Sequence, residues 1–471
     1  MPFLATVPKP EFLMSSPNAA PAVPVHLASE ANWASLSATL SPIAARFAEM
    51  QGFQPKSGRI LALPASDGGI AAILLGTGTD ETLKETPFLA GKLATDLPAG
   101  HYRLASPLAD PEAAYLGFLL GGYTFTRYKQ GEARAVTLES PEGVDAARIK
   151  AIARAVSAGR DLINTPANDL TTADLAAHVR TLATRFGAEC REIIGDDLLK
   201  ENFPLIHAVG RASAVPPRLI EFRWGDPAAM KVTLVGKGVV FDTGGLNIKP
   251  DNSMLLMKKD MGGAAAALTA AEILMAAGAK LNLRVIIPIV ENAISAPAFR
   301  PGDIYRSRKG ITVEIGNTDA EGRLILADAL ALADEDKPDM ILDFATLTGA
   351  ARVALGPDLP PFYTEDDALA GKIEAMGRRV HDPVWRLPLW KPYGAMIDSK
   401  LADVNNAGVG GFAGSITAAL FLRKFVTEAK HHVHFDIYGW VPSAKPGRPD
   451  GGEPQAARMV ASLLIEMAKG N

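Results

Sequence analysis

Acidic, basic and glycine residues concentrate in three short segments of the chain. These segments span residues 235–250, 257–265 and 317–323, and they contain the carboxylates Asp242, Asp260, Asp319 and Glu321. The flanking glycines let neighbouring backbone approach closely. Carboxylates gathered in one cleft repel one another, and cations must offset that repulsion. Two divalent metal ions a few ångströms apart do this in many hydrolases, so the pattern predicts a two-metal hydrolytic site.

Each acid also has a simpler interpretation, as a helix cap or as a residue on a solvated loop. Asp319 stands just before a predicted helix, where capping is the favoured role for an acid considered alone. A single motif match is a weak signal, and only the pattern of whole segments favours a metal site.

The three segments resemble the signatures of the leucyl aminopeptidases, also called cytosol aminopeptidases. The string Asn317-Thr-Asp-Ala-Glu-Gly-Arg323 matches the most diagnostic of these signatures. The resemblance covers about residues 155–440 and includes the strings that begin at Asn164, Phe299 and Thr346. It implies a dinuclear metallo-aminopeptidase that hydrolyses single amino acids from the free N-termini of peptide substrates.

The resemblance implies a particular set of metal ligands. Asp242 and Glu321 would each contact both of two divalent ions, Zn²⁺ or Mn²⁺, with Mg²⁺ as a further option. Asp319 would complete one metal site, and Lys237 with Asp260 would complete the other. An ammonium group has no lone pair to donate, so Lys237 would have to be neutral, as two adjacent dications would enforce. The simpler interpretation of Lys237 is an ordinary salt-bridge partner.

Two catalytic residues that bind no metal follow from the same resemblance. Lys249 would stay protonated and stabilise the oxyanion that develops on the scissile carbonyl. Arg323 would hold a bicarbonate ion, and that ion would act as the general base towards water. The resemblance also implies a homohexamer whose active sites face an internal cavity.

The pocket for the first side chain of the substrate is implied as well. Met257 and Thr346 would line it, and the backbone near Leu347 and Gly349 would contact the substrate. The family usually has a small residue in the string Asp-Ile-Ala-Gly, where this chain has Tyr438. This departure leaves the metal ligands intact and bears on substrate preference.

Three interpretations of Tyr438 remain open. Its ring would narrow the pocket and discriminate against bulky first residues, each methylene being worth about 1–3 kcal/mol. Alternatively, its hydroxyl would favour polar first residues, with Trp440 covering the entrance. In the third interpretation the ring points into the core, because strand residues alternate faces.

Other segments resemble functional sites but give weaker evidence for one. His431, His432 and His434 resemble a metal cluster, but strand alternation would place His432 and His434 on one face and His431 on the other. The sequence shows no acid pattern beside them, so we interpret them as structural. A His-Glu-x-x-His motif, a phosphate loop and a serine-nucleophile signature are all absent from the sequence.

The elements around these motifs predict an α/β fold. Apolar strands at 232–235, 284–290 and 340–344 alternate with helices at 264–277 and 323–333, which indicates a mostly parallel sheet covered by helices on both faces. A helix is expected over 146–164, and a capping box at Thr171 begins the next one. We expect a smaller N-terminal α/β domain of uncertain role over residues 1–150 and a catalytic domain over residues 151–471.

The composition of the chain limits which binding partners and which cellular compartment we expect for the protein. The 471 residues carry a net charge of −4, which gives no reason to expect a nucleic-acid or membrane partner. Cys190 is the only cysteine, and the first residues lack a basic segment followed by an apolar one, so we expect a cytoplasmic protein without a secretory signal. Two alternatives stay open: a related fold that also binds DNA, and a non-catalytic scaffold.

Overall fold

Two compact units make up the chain in the computed structural model, which describes residues 21–129 and 135–470. One unit holds the described residues up to Ser157 together with 443–450, and the other holds 158–442 and 451–470. The helix predicted over Ala146–Asn164 forms with those bounds and belongs partly to each unit. The domain boundary expected at residue 150 stays a prediction.

The first unit is built on a five-stranded sheet. Its strands are β1 (Val23–Ser29), β2 (Ile60–Pro64), β3 (Ile70–Gly78), β4 (Gly100–Leu104) and β5 (Val136–Leu138), and its helices are α1 (Trp33–Ala38), α2 (Pro42–Met50), α3 (Asp80–Glu85), α4 (Gly91–Asp96), α5 (Pro111–Gly121) and the start of α6 (Ala146–Asn164). The order is β2-β3-β1-β4-β5, and only the β2–β3 pairing is antiparallel. Strands β2 and β3, which flank Asp67-Gly68-Gly69, therefore form a hairpin.

The second unit contains the remaining elements. Its strands are β6 (Glu189–Ile194), β7 (Arg218–Gly225), β8 (Lys231–Gly236), β9 (Gly238–Asp242), β10 (Asn282–Asn292), β11 (Ile304–Arg306), β12 (Thr312–Glu314), β13 (Met340–Ala345), β14 (Pro361–Tyr363), β15 (Trp385–Arg386), β16 (Val404–Asn405), β17 (His431–Asp436), β18 (Trp440–Val441) and β19 (Gly451–Gly452). Its helices are α7 (Thr172–Arg185), α8 (Asp197–Lys200), α9 (Pro204–Gly210), α10 (Asp251–Met254), α11 (Gly262–Ala276), α12 (Glu321–Glu335), α13 (Gly349–Leu355), α14 (Asp367–Arg379), α15 (Gly414–Arg423) and α16 (Ala457–Ala468). Two 3₁₀ turns span Met257–Met261 and Lys391–Ile397.

The main sheet of the second unit is mixed and mostly parallel, as the alternation of strands and helices predicts. Strands β17, β13, β8 and β10 lie side by side and parallel. Antiparallel strands flank them, with β7 and β6 beyond β10, and β14 beyond β17. The sequence pattern did not predict these flanking strands.

Helices cover both faces of this sheet. Residues of α9, α12 and α15 share one apolar core with Val235, Ile286 and Ile341 of the central strands. Helix α11 packs on β8 and β13 without contributing to that core, which places it on the opposite face, together with α16. The central strands favour helices on both faces of the sheet, because their apolar residues are buried on both sides.

The structure shows how two of the predicted helices begin. Thr171 and Asp174 form the predicted capping box at the start of α7. Asp319 does not cap α12, because Ala320 is the N-cap residue and makes no side-chain capping bond. The carboxylate of Asp319 is therefore available for another role. Among the described residues, no helix is both long and apolar enough to cross a membrane.

Candidate metal centre

The predicted site residues lie at the carboxyl ends of the central parallel strands. Lys237 follows β8 directly, and Asp242 is the last residue of β9. Asp260 stands on the 3₁₀ turn after that strand, and Glu321 is the first residue of α12. Thr346 follows the end of β13. This edge is where open α/β sheets bind their ligands, so the topology gathers motifs that are far apart in sequence.

Three of the carboxylates form a tight cluster. One carboxylate oxygen each from Asp242, Asp319 and Glu321 lies within 4.8 Å of the others. Burial and the Asp242 carboxylate together raise the pKa of Asp319 to about 6, and the same two causes raise the pKa of Glu321 well above its usual range. The crowding of buried acids therefore opposes their ionisation until cations compensate them.

Lys237 is buried beside two of the acids. Its Nζ lies 2.8 Å from both carboxylate oxygens of Asp260 and 2.9 Å from Oε1 of Glu321, and it donates to the carbonyl oxygen of Thr346 at 3.2 Å. Burial alone would lower the pKa of Lys237, but the neighbouring carboxylates outweigh it and raise the pKa. In this structure the ammonium thus acts as the counter-ion of Asp260 and Glu321.

Lys249 neutralises the other side of the cluster. Its Nζ lies 2.8 Å from Oδ2 of Asp242 and also contacts Oδ1 of Asp319. Burial lowers the pKa of Lys249, but the surrounding carboxylates outweigh it and raise the pKa. Lys249 therefore carries a positive charge beside the acids in this structure.

Divalent metal ions fit this donor set. Two ammonium nitrogens stand among four carboxylates, at positions where cations offset the repulsion between the acids. Oxygen ligands of this kind suit Mn²⁺ and Mg²⁺, and Zn²⁺ also accepts them. The residues can therefore hold metal ions once the lysines no longer occupy the centre of the cluster.

Buried amides hold the acids in place. The Nδ2 of Asn292, at the end of β10, donates to Oδ1 of Asp242 at 2.8 Å and to the carbonyl oxygen of Thr318 at 3.1 Å. Gly244 donates its backbone N–H to the same Asp242 oxygen at 2.8 Å, from a left-handed backbone conformation with φ of 86°. Such a conformation favours glycine, which explains the Gly after the aspartate motif.

Asn406 positions the loop that carries Asp319. Its Oδ1 accepts from the backbone N–H groups of Gly316 and Asn317 at 2.8 and 3.1 Å, and its Nδ2 donates to the carbonyl oxygen of Asn317 at 2.8 Å. The carbonyl oxygen of Asn406 accepts a bond from Arg323 at 2.7 Å. One fully buried amide therefore orders both the acidic loop and the predicted catalytic arginine.

Arg323 keeps part of its guanidinium available. Its side chain is buried, and within the described residues its Nε has no hydrogen-bond partner. Burial lowers the pKa of Arg323 to about 10, which still leaves it charged at neutral pH. A buried guanidinium with an unused donor fits a small planar anion such as bicarbonate.

The loop after β13 carries three predicted pocket positions. Thr346 donates its hydroxyl to Oδ1 of Asp260 at 2.8 Å. Asp436 accepts from the backbone N–H groups of Leu347 and Thr348 at 3.1 and 3.0 Å. Gly349 then begins α13 and is exposed. The N–H of Leu347 is therefore already engaged, which leaves its carbonyl oxygen for contact with a substrate.

Met257 and Tyr438 lie at the same edge. Met257 begins the 3₁₀ turn that carries Asp260, and it is half-buried. Tyr438 lies beyond the end of β17, so strand alternation does not set its direction. Its half-buried ring contacts two cations, with Lys259 Nζ and Arg352 Cζ each 4.8 Å from the ring centroid. Burial lowers the pKa of Lys259 to about 8.

The histidine cluster is structural in the way the strand pattern predicts. His432 Nε2 and His434 Nδ1 lie 2.8 and 2.6 Å from the two carboxylate oxygens of Asp343, whereas His431 pairs with Asp366. Burial alone would lower the pKa of His434, but Asp343 outweighs it and raises the pKa. The acid that pairs with them was not visible in the local sequence, because Asp343 comes from the neighbouring strand β13.

Several of these supporting residues were missed at the sequence level. Asn292, Asn406 and Asp436 each hold a part of the site that lies far away along the chain. Asp436 alone had a sequence signal, since it begins the Asp-Ile string that the family shares. The asparagines had none, because the amide side chain is common in loops and its partners are defined only by the fold.

An acidic cluster with buried lysines, at the carboxyl edge of a mostly parallel sheet, defines a metallohydrolase of the α/β class. Residues 157–464 match the cytosol aminopeptidase family, catalytic domain, and residues 23–141 match the M17 aminopeptidase N-terminal domain. The chain belongs to the cytosol aminopeptidase family. It is a metal-dependent hydrolase that releases residues from the N-termini of peptides.

Individual relatives agree with this assignment. A probable cytosol aminopeptidase of Syntrophotalea carbinolica is 41% identical over 396 residues, which covers 80% of this chain and 78% of the relative. The crystal structure of cytosol aminopeptidase from Coxiella burnetii has a TM-score of 0.91 and 42% identity, covering 95% of this chain and 98% of that one. The bottromycin maturation enzyme BotP in complex with Mn has a TM-score of 0.86 and 33% identity, covering 95% and 100%.

Proposed function

We propose that the carboxylate cluster binds two divalent metal ions, Zn²⁺ or Mn²⁺, with Mg²⁺ as a further option. Asp242 and Glu321 would be shared by the two ions, Asp319 would complete one site, and Lys237 with Asp260 would complete the other. The observation that carries this proposal is the placement of two lysine ammonium groups among these buried acids. Coordination by Lys237 requires loss of its proton, which two dications would promote.

When bound, the ions would polarise the scissile carbonyl and lower the pKa of water at the site. Lys249 holds a positive charge beside Asp242 and Asp319, where it would stabilise the negative charge that develops on the carbonyl oxygen. Arg323 would hold a bicarbonate ion as the general base, through guanidinium donors that Asn406 leaves unused. These residues would stabilise charge and orient the reacting groups, while the pocket would select the peptide.

The substrate end of the site would be formed by Met257, Thr346 and Tyr438, with backbone contacts near Leu347 and Gly349. Thr346 links the pocket to the metal ligands, because its hydroxyl bonds Asp260 and its carbonyl oxygen bonds Lys237. A peptide whose first side chain enters this pocket would bring its free amine to the acidic cluster. This arrangement suits removal of one residue at a time.

We further propose that the protein works in the cytoplasm as a homohexamer. Relatives named cytosol aminopeptidase support the location. Exposed apolar side chains on the second unit, such as Val353, Leu401 and Phe412, support self-association, because large solvated apolar groups favour burial between copies. Light scattering on the purified protein tests the assembly directly.

The deciding experiment measures leucine release from Leu-Gly in metal-free protein and after addition of Zn²⁺, Mn²⁺ or Mg²⁺. We expect exhaustive chelation to abolish turnover and a divalent ion to restore it, since the ions would supply the polarisation of the carbonyl and the activation of water. Metal titration with binding stoichiometry then tests for two ions per subunit. Full turnover in protein verified to be free of metal would refute the proposal.

A further inference from the structure

Two cations lie together beside the predicted pocket for the first side chain. Lys259 stands on the 3₁₀ turn next to Asp260, and Arg352 stands in the last turn of α13. Both contact the ring of Tyr438, at 4.8 Å from its centroid. Cation–π contacts of this kind hold the ring and the two positive charges in one group, which we call the Tyr438 cluster.

The Tyr438 cluster adjoins residues that we assign to the pocket. A Cβ atom added to Gly349 would lie 3.9 Å from an Arg352 guanidinium nitrogen. A Cβ atom added to Gly439 would lie 3.0 Å from the methyl carbon of Thr346 and 3.8 Å from the carbonyl oxygen of Lys259. The Arg352 guanidinium therefore adjoins Gly349, and the Lys259 ammonium adjoins the ring of Tyr438, which is itself a predicted pocket residue.

Neither cation forms a salt bridge with a neighbouring acid, although Asp260 and Asp436 favour the charged form of Lys259 from a longer distance. Within residues 21–129 and 135–470, no carboxylate lies at salt-bridge distance from Lys259 or Arg352, and the ammonium of Lys259 donates no hydrogen bond. The Lys259 side chain is nevertheless only 5% exposed. The nearby carboxylate of Asp436 is already engaged by Thr348 and Ser415. A buried ammonium without a partner is costly, and a carboxylate from a bound molecule would offset that cost.

A buried glutamine fixes the backbone around this cluster. Oε1 of Gln455 accepts from the backbone N–H groups of Tyr438 and Gly439, each at 3.0 Å. Its Nε2 donates at 2.7 Å to the carbonyl oxygen of Pro357, which closes the turn after α13. The same side chain therefore positions the ring and the segment that carries Arg352. The cations are preorganised and do not depend on the substrate to bring them together.

We propose that the Tyr438 cluster makes this aminopeptidase selective for peptides whose first residue is acidic. The carboxylate of an aspartate or glutamate side chain would pair with Lys259 and Arg352 while the Tyr438 ring packs against its methylene groups. This inference rests on the proposed function, because it requires that the first side chain enters the pocket near Gly349. It gives the departure from the family at Tyr438 a consequence for specificity.

Amidated dipeptides test the proposal most directly, because they lack the carboxylate at the other end of the substrate. We expect kcat/KM for Glu-Gly-amide to exceed that for its isostere Gln-Gly-amide by about ten-fold or more, since a site built for a polar group rejects analogues that lack it. Lys259→Met should remove most of this ratio. Arg352→Gln should reduce it as well, and Arg352 is exposed, so this variant should fold normally.

Lys372→Met is the matched control, because Lys372 is an exposed cation on α14. It should leave the Glu-to-Gln ratio unchanged. A ratio near one in the parent protein, or a ratio that neither pocket variant alters, would overturn the proposal. So would a preference for free-acid over amidated dipeptides without any Glu-to-Gln difference. Metal-dependent release of leucine from Leu-Gly-amide reports the proposed function separately, so the two failures can be told apart.

Discussion

Gly322 in the first turn of α12 gives a sharp test of the role assigned to Lys237. An alanine Cβ at position 322 would lie 2.4 Å from Cε and 2.7 Å from Nζ of Lys237. Carbon contacts are normally at about 3.5–4.0 Å, so the end of the lysine would have to move by roughly 1 Å. It cannot swing away freely, because Asp260, Glu321 and the Thr346 carbonyl hold its Nζ.

We expect Gly322→Ala to lower activity more than stability. A misplacement of about 1 Å in a catalytic site can lower turnover by about 100-fold, and we expect Gly322→Ala to lose that much in kcat/KM. Overpacking costs about 1–3 kcal/mol, but alanine in place of glycine inside a helix recovers about 0.5–1 kcal/mol. The free energy of unfolding should therefore fall by about 2.5 kcal/mol at most.

The assay combines Leu-Gly turnover across a Mn²⁺ titration with urea unfolding. Gly371→Ala on α14 is the matched control, because a Cβ atom there meets nothing within 4 Å. It should leave turnover and metal dependence unchanged and increase stability by up to about 1 kcal/mol. If Gly322→Ala keeps the parent turnover and the parent response to Mn²⁺, the position of Lys237 is not needed for the metal centre.

Four further substitutions test other parts of the structure. Lys249→Ala should keep its metal content while turnover falls by about 100-fold, which is the scale of one lost oxyanion donor. Lys237→Ala should instead lose metal. Elemental analysis measures the metal content, and equal metal loss in both variants would contradict these separate roles. Glu321→Ala should abolish turnover with little change in melting temperature, and a variant that melts early but still turns over would make Glu321 structural. Asp343→Asn should lower the free energy of unfolding by about 1–3 kcal/mol near pH 6. Because Asp343 raises the folded-state pKa of His434, the stabilisation from this pair is present below pH 6.5 and is lost as pH rises through that higher pKa. Urea midpoints at pH 6 and pH 9 should show the smaller effect at pH 9, and an equal effect at both would refute the charge pairing.

Much of the second unit was predictable because its signals are local. The strands at 284–290 and 340–344 read as apolar runs, and they form as β10 and β13 with slightly wider bounds. The helix over Ala146–Asn164 follows from its own periodicity. The flanking antiparallel strands were not predicted, since partner and direction depend on segments distant in sequence.

The sequence pointed to the acids through their residue types, because metal chemistry requires particular donors wherever the chain places them. The resemblance of three segments to family signatures pointed to the lysines and the family. Tertiary structure decided which neighbours those residues have. Asp319 looked like a helix cap, yet Ala320 caps α12 and leaves the carboxylate to Lys249. Asn406, Lys259 and Arg352 carried no signal, because a side chain's partners and its desolvation depend on contacts across the fold. Only the folded chain brings two cations to the ring beside the pocket.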